Sequence, residues 1–185
     1  MKIFGIGLSK TGTTSLAVAL ETLGFNARHA VSSLDEIDDV DAVTDEMATI
    51  YQRLDEEYPG SKFILTVRDE ASWLRSCRHH FRQPVPADHP IHDVLMALYG
   101  TTVFEREKFL AGYRRHSEAV REYFRGRPDD LLVLDLVSGG EGYRELCAFL
   151  ECPMPDAAEF PKENVSRSWR RIWRKLRRTL GLATP

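Results

Sequence analysis

The chain has 185 residues, 43% of them hydrophobic and 29% charged, proportions that exclude a disordered, collagen-like or coiled-coil protein. We expect one domain, because a chain of this length buries roughly 70% of the surface it exposes when unfolded. The three cysteines, Cys77, Cys147 and Cys152, lack C-x-x-C spacing. This pattern argues against a disulfide framework or a structural zinc site, and favours a reducing compartment.

The net charge of -3 hides a strong asymmetry along the chain. Seven of the 25 basic residues lie in 166–185, which hold no acid, so residues 1–165 carry 18 basic residues and all 28 acidic ones. An acidic body excludes a uniformly basic nucleic-acid binder, and we expect no nucleic-acid partner. Apolar runs fall far short of the roughly 20 residues of a membrane span, and the N-terminus lacks a signal peptide's apolar region. We therefore expect a soluble cytoplasmic protein.

The elements predicted along the chain alternate between strands and helices. Residues 2–24 predict a strand, a glycine-rich loop and a helix. Four more strands are predicted at 25–30, 41–45, 62–67 and 131–136, and four more helices at 46–58, 68–81, 103–126 and 143–152. This alternation predicts an α/β fold with a parallel sheet and helices on both faces, and with ligands bound beyond the carboxyl ends of the strands. Residues 83–102, with three prolines, are the expected lid or acceptor loop.

The first loop has the features of an anion site. Gly7 and Gly12 let the backbone turn its N–H groups inward, a helix start adds a partial positive charge, and Lys10 adds a full one. Two familiar nucleotide motifs do not fit. A Walker A loop needs lysine where Thr13 stands, and a G-x-G-x-x-G fingerprint needs glycine at the position of Lys10.

The string SKTGTTSL at residues 9–16 resembles the 5′-phosphosulfate loop of the sulfotransferases that use 3′-phosphoadenosine 5′-phosphosulfate (PAPS). Arg68 after a strand and Ser76 eight residues later resemble the family's 3′-phosphate motif, and both side chains suit phosphate oxygens. Residues 2–165 resemble one bacterial-type branch, whose Phe-Pro-x-x-Asn is matched by Phe160, Pro161 and Asn164. Met47 departs from that branch, which usually has proline there.

The resemblance implies a three-layer αβα, P-loop NTPase-like sulfotransferase fold and transfer of a sulfuryl group from PAPS, with adenosine 3′,5′-bisphosphate (PAP) as product and no metal. The acceptor would be a hydroxyl or amine of a small molecule, lipid or glycan. Lys10 would stabilise charge on the leaving group. The donor-binding residues implied are Ser9, Lys10, Thr11, Gly12, Thr13, Thr14, Ser15, Arg68 and Ser76.

Transfer to a hydroxyl also benefits from a general base. Asp45 ends a predicted strand at the ligand edge of the sheet and resembles the branch's acidic position, so it is the first candidate. His29 ends another predicted strand and is the second. Their structural alternatives are a helix cap for Asp45 and a satisfied core histidine for His29.

Several histidines fall in or near residues 83–102. His89-x-x-His92, with Asp88 and Asp93, allows a metal site but lacks a cysteine pair. We expect instead that an acceptor pocket or lid is lined by His79, His80, His89, His92, Phe81, Tyr99 and Phe104.

Residues 166–185 follow a sulfotransferase-like domain at 1–165 and form a predicted basic amphipathic helix. This helix either docks on the domain, lies on an anionic membrane or flanks the nucleotide. Two other functions stay open: a P-loop small-molecule kinase, for which Asp135 is the best magnesium-binding acid, and a non-catalytic nucleotide-fold binding domain.

Overall fold

A computed structural model describes residues 1–31, 34–45, 47–89, 91–138, 141–156 and 159–161. Within these ranges one parallel sheet has the strand order β2-β3-β1-β4-β5. The strands are β1 (Ile3–Gly5), β2 (Ala27–His29), β3 (Ala42–Thr44), β4 (Lys62–Thr66) and β5 (Leu131–Leu134). Central β1 pairs Ile3 with Ala42 on one side and with Lys62 on the other. The predicted α/β class is confirmed.

The α-helices of the described ranges are α1 (Thr13–Thr22), α2 (Tyr51–Glu57), α3 (Glu70–His80), α4 (His92–Tyr99), α5 (Arg106–Tyr123) and α6 (Tyr143–Leu150). Short 3-10 turns cover Leu34–Ile37 and Met47–Thr49. The prediction of one continuous helix over 46–58 is wrong for its first residues, because α2 begins only at Tyr51. Asp45 has a left-handed φ of 67°, and its carbonyl accepts from the Met47 N–H at 2.6 Å, so a tight turn precedes α2. None of the described helices is long and apolar enough to cross a membrane.

Side chains alternate across the sheet and build a core on each face. Ile3 and Ile64 pack with α1 and α6 on one face. Phe4, Phe63 and Leu65 pack with α2 and α5 on the other. Strands buried on both faces give the continuous apolar runs seen in the sequence, and the three predicted layers are confirmed.

A third cluster fixes α4 beside the carboxyl end of the sheet. Trp73 of α3 and Phe109 of α5 are fully buried there, and the ring of Tyr99 stacks on Phe109 with centroids 4.1 Å apart. Gly112 lets α4 and α5 approach closely, because a Cβ there would lie 2.5 Å from the carbonyl oxygen of Leu98. The segment at 83–102 therefore contains a helix held against the core.

The strand order creates a crevice between β1 and β4. After β1 the chain runs toward β2 at one edge, and after β4 it reaches β5 at the other. Where successive connections diverge in this way, the loops leave a gap beyond the carboxyl ends of the strands. The two segments at this gap are the glycine-rich loop and the residues from Val67 to Asp69.

Candidate active site

The loop between β1 and α1 lies directly against the end of β4. A Cβ on Gly7 would fall 1.9 Å from Thr66 Oγ1 and 2.7 Å from the Thr66 carbonyl oxygen. No side chain fits in that space. Gly7 is therefore required for the close approach of the loop to the neighbouring strand, whatever ligand the loop holds.

Buried hydrogen bonds fix the shape of this loop. The Thr11 hydroxyl donates to the Leu8 carbonyl at 2.6 Å and accepts from the Thr66 hydroxyl at 2.6 Å. The Thr11 N–H also donates to Leu8 O. On the opposite side, Trp73 Nε1 donates to the Ser9 carbonyl at 3.0 Å. Thr11 therefore shapes the loop from inside, while Trp73 fixes it to α3.

The loop ends in backbone conformations that favour anion binding. Lys10 has a φ of 76° and Gly12 a φ of 111°, both left-handed, and α1 begins at Thr13. The N–H groups of a first helical turn have no acceptor within the helix, and the helix dipole places positive potential there. Thr14 and Ser15 belong to this turn and are buried with Thr13. This geometry suits a phosphate or sulfate group.

Arg68 reaches the same loop from the end of β4. Its Nη1 donates to the Lys10 carbonyl at 3.1 Å, and its Nε donates to Ser72 Oγ at 2.9 Å. The Tyr113 hydroxyl of α5 accepts from the Arg68 N–H at 2.9 Å and donates to the Arg68 carbonyl at 2.7 Å. Ser76 lies one helical turn after Ser72 on the same face of α3. The structure thus brings Arg68 against the loop that carries Lys10, while the donor-binding role of both residues stays a prediction.

Two partly buried cations, Lys10 and Arg68, lie at the crevice. Burial lowers the pKa of Lys10 below its usual value, and the charge of Arg68 lowers it further, while Asp45 acts in the opposite direction. Burial also lowers the pKa of Arg68. A desolvated cation gains more from an anionic ligand than a hydrated one does. Burial of these two cations therefore favours an anionic ligand.

Asp45 and His29, which end neighbouring strands, lie together. Asp45 Oδ1 accepts from Ser9 Oγ at 2.9 Å, and its Oδ2 lies 3.5 Å from His29 Nε2. His29 Nε2 is also 2.9 Å from Thr14 Oγ1 and 3.2 Å from Thr13 Oγ1. Asp45 is 5% exposed. The two candidate bases form one cluster that is bonded to the anion loop and to the first turn of α1.

Asp45 also faces a cleft between the loop and α4. The cleft encloses about 10 Å³, and the rest of its space is shared with open solvent. Its lining residues are Gly7, Leu8, Ser9, Asp45, Ala48, Ile91, Val94, Leu95, Leu98 and Tyr99. His29 is not among them. Asp45 therefore borders both the β1–α1 loop and the cleft. His29 contacts Asp45 and the first turn of α1 and does not line the cleft.

None of the four histidines expected at the pocket is among the residues that line the cleft, and the three aromatic residues expected there divide into two groups. Tyr99 lines the cleft, whereas Phe81 and Phe104 pack on Phe109 with ring centroids 5.2 Å away. No group of three or more His, Cys, Asp or Glu side chains in the described ranges is arranged to hold a metal ion. Asn164 and the predicted helix at 166–185 lie outside the described residues.

The sequence did not point to several residues that build the site. Tyr113 hydrogen-bonds the backbone of Arg68, which lies 45 positions away in the sequence. Trp73 hydrogen-bonds the backbone of Ser9, which lies 64 positions away. Ser138 accepts from the Asp69 N–H at 3.0 Å. Ser72 had a signal, since it lies four residues after Arg68, one turn into the same helix.

Fold and crevice together define an α/β protein with a strand–loop–helix unit whose geometry suits an anionic group. A family model described as a sulfotransferase domain matches residues 2–38 and 35–169. The chain therefore belongs to the sulfotransferase family and is a transferase. Among curated proteins, none matches the sequence.

Proposed function

We propose that the protein transfers a sulfuryl group from PAPS to an acceptor hydroxyl, without a metal ion. The observation that carries the proposal is the convergence of Lys10, Arg68 and the first turn of α1 on one crevice. Sulfuryl transfer needs positive charge placed at the departing phosphate. Lysine and arginine beside a helix N-terminus supply that charge.

The residues present fit such a donor. Thr66 occupies the space that a side chain at Gly7 would need, so the loop backbone approaches β4 with no side chain between them. Thr13, Thr14 and Ser15 would hold the 5′-phosphate through first-turn N–H groups and hydroxyls. Arg68, Ser72 and Ser76 would hold the 3′-phosphate, since guanidinium N–H groups and hydroxyls match its oxygens. When bound, the donor supplies an activated sulfuryl group.

Lys10 has the catalytic role in this proposal. Its ammonium would lie where negative charge develops on the leaving phosphate, in a partly buried position where that attraction is strong. The hydrogen bond from Arg68 to the Lys10 carbonyl holds the lysine backbone in its left-handed conformation. Arg68 would thus bind the donor and also position Lys10.

Asp45 is the proposed general base, because it lines the cleft while His29 does not. The Ser9 hydroxyl and His29 orient its carboxylate. His29 is a positioning residue in this scheme. A pH–rate profile tests the assignment: Asp45→Asn should lower kcat by about 10² to 10⁴ and remove the acidic limb, while His29→Asn should lower kcat less and keep the limb. An acidic limb unchanged in both variants would contradict both roles.

Ligand-dependent thermal stability tests the donor class. PAP should raise the melting temperature of the full chain, because a ligand at 100 times its Kd adds about 2.7 kcal/mol to the free energy of unfolding. NADH and ATP with magnesium should not raise it. EDTA should leave transfer from PAPS unchanged. A response only to ATP with magnesium would replace the proposal by a kinase function.

The cytoplasm is the location we propose from composition, in keeping with the free thiols of Cys77, Cys147 and Cys152. Residues 166–185 would allow peripheral contact with anionic lipid. Vesicle co-sedimentation of the chain with and without these residues tests this contact. Equal binding of both forms would rule it out.

A further inference from the structure

The cleft beside Asp45 has two chemically different sides. On one side lie the loop and the Asp45 carboxylate. On the other side α4 presents Ile91, Val94 and Leu98, which are all half-buried and offer only hydrocarbon to a ligand. Leu95 and Tyr99 also line the cleft and are buried. A molecule in this cleft therefore meets one polar end and one apolar wall.

We propose that the acceptor is a neutral alcohol with an apolar body, whose hydroxyl lies at Asp45 while its hydrocarbon part lies along Ile91, Val94 and Leu98. This inference rests on the proposed function and names its acceptor class. The cleft encloses only about 10 Å³, room for a hydroxyl-sized group, so it takes the hydroxyl-bearing end of such a molecule while the hydrocarbon part lies along the half-buried side chains of α4.

Asp45 has capacity for the acceptor's proton. A carboxylate has about four lone-pair positions. Ser9 Oγ occupies one on Oδ1, and His29 Nε2 lies 3.5 Å from Oδ2. A third hydrogen bond from an alcohol in the cleft is therefore compatible with both existing contacts, and it would point the acceptor oxygen toward the loop that carries Lys10.

The transfer step is balanced with these groups. The acceptor oxygen forms a bond to sulfur, and the bond from sulfur to the bridging oxygen breaks. The electron pair of that bond stays on the departing 5′-phosphate, next to Lys10. The hydroxyl proton passes to the Asp45 carboxylate. The products are a sulfate ester of the alcohol and PAP.

The same surroundings disfavour glycans and amines. A sugar carries hydroxyls along its whole ring, and those placed against Val94 and Leu98 would lose water without gaining a partner. An alkylamine is protonated near neutral pH and has no free electron pair in that form, and its ammonium would pair with the Asp45 carboxylate that the reaction needs as a base. An alcohol avoids both costs.

The acceptor class is tested with the full chain, PAPS and soluble acceptors, by measuring PAP release. From 1-propanol to 1-hexanol, kcat/KM should rise about fourfold per methylene, until the α4 wall is covered. Methyl glucoside and hexylamine should be at least 100-fold poorer than 1-hexanol. Equal or better use of the glucoside or the amine, or no dependence on chain length, would overturn the proposal.

Variants of α4 test the wall directly. Val94→Thr keeps the shape and replaces one methyl with a hydroxyl, and Leu98→Asn makes the wall polar. Each should raise KM for 1-hexanol by about tenfold with kcat within twofold. Met96→Gln is the matched control, because Met96 is 44% exposed on the same helix and does not line the cleft. Equal effects of all three, with unchanged melting temperatures, would contradict the proposal.

Binding of PAP separates two kinds of failure. If PAP raises the melting temperature but none of the alcohols is sulfated, the acceptor class is wrong and the proposed donor stands. If PAP has no effect, the proposed function fails, and the acceptor class fails with it.

Discussion

The two walls of the active-site crevice are built in different ways. The proposed donor wall, residues 7–12 with Arg68, is held by directed hydrogen bonds, including those from Trp73 Nε1 to Ser9 and from Arg68 to Lys10. The acceptor wall, Ile91 to Tyr99, is held by apolar contacts with Phe109 and by the close approach at Gly112. One wall is specified by polar geometry and the other by packing.

Because of this difference, we expect the donor wall to govern the transfer step and the acceptor wall to govern the choice of acceptor. Hydrogen bonds fix the donor wall, so a change there misplaces charges that the reaction needs. The acceptor wall presents half-buried aliphatic side chains, which can be exchanged without altering the loop that carries Lys10. We expect substitutions in the donor wall to act on kcat and donor binding, and those in the acceptor wall to act on the KM of the acceptor.

Lys10→Ala should have the largest effect on the donor wall. Loss of the ammonium should lower kcat by about 10³, because it removes the main stabilising charge at the leaving group. The Kd of PAP, measured calorimetrically, should weaken by less than about tenfold, since Arg68 and the first turn of α1 remain. Lys108→Ala, at an exposed lysine paired with Glu105, is the control. Equal losses in kcat and affinity would reduce Lys10 to a binding residue.

Gly7→Ala tests whether the loop must touch β4. The added methyl would overlap Thr66 Oγ1, so the loop has to move. Overpacking of this kind costs about 1–3 kcal/mol, a melting temperature lower by about 3–10 °C. Activity should fall by about tenfold or more. Gly126→Ala, where a Cβ meets nothing within 4 Å, should change neither quantity. Equal behaviour of the two variants would disprove the steric requirement.

The sequence indicated the residues of the β1–α1 loop crevice more clearly than those of the α4 wall, for a physical reason. Gly7, Lys10 and Gly12 lie within six residues, and Arg68 directly follows an apolar strand, so local spacing carries their signal. The alternation of strands and helices likewise predicted the parallel sheet. The short 3-10 turn before α2 was missed, because it depends on the left-handed backbone of Asp45.

Contacts between elements that are far apart in the sequence could not be predicted from local sequence patterns. The hydroxyl of Tyr113 and the backbone of Arg68 are joined across 45 positions, and only the packing of α5 brings them together. The α4 helix begins two residues after the last of its region's prolines, and its apolar face resembles that of any core helix. Nothing in its spacing indicated that it would face Asp45.

Tyr113→Phe should have a moderate effect on the donor wall. It removes the hydroxyl that holds both the N–H and the carbonyl of Arg68. The KM of PAPS should rise by about three- to tenfold while kcat stays within twofold. Tyr123→Phe on the same helix is the control, because its hydroxyl bonds Asp55 away from the crevice. A similar loss of stability in both variants without any change in KM would leave Tyr113 only a structural role.

His116 provides the smallest predicted effect, on stability alone. Burial lowers the pKa of His116 below its ordinary value of 6.5, helped by the charge of Arg115 and opposed by the hydrogen bond to the Ile6 carbonyl. The native state thus favours the neutral ring, and the unfolded chain takes up the proton at higher pH. The stability that His116 contributes is complete above pH 6.5 and is lost as the pH falls below it.

His116→Gln should flatten the decline in the free energy of unfolding below pH 6.5, because glutamine keeps a donor for Ile6 O and does not titrate. At pH 8 the variant should melt about 2–4 °C lower, since the ring contact with Tyr51 is lost. Urea unfolding at a series of pH values measures the slope. His79→Gln, at an exposed histidine, should keep the slope of the parent chain. A parent-like slope in His116→Gln would mean that the buried ring does not set the acid limit of the fold.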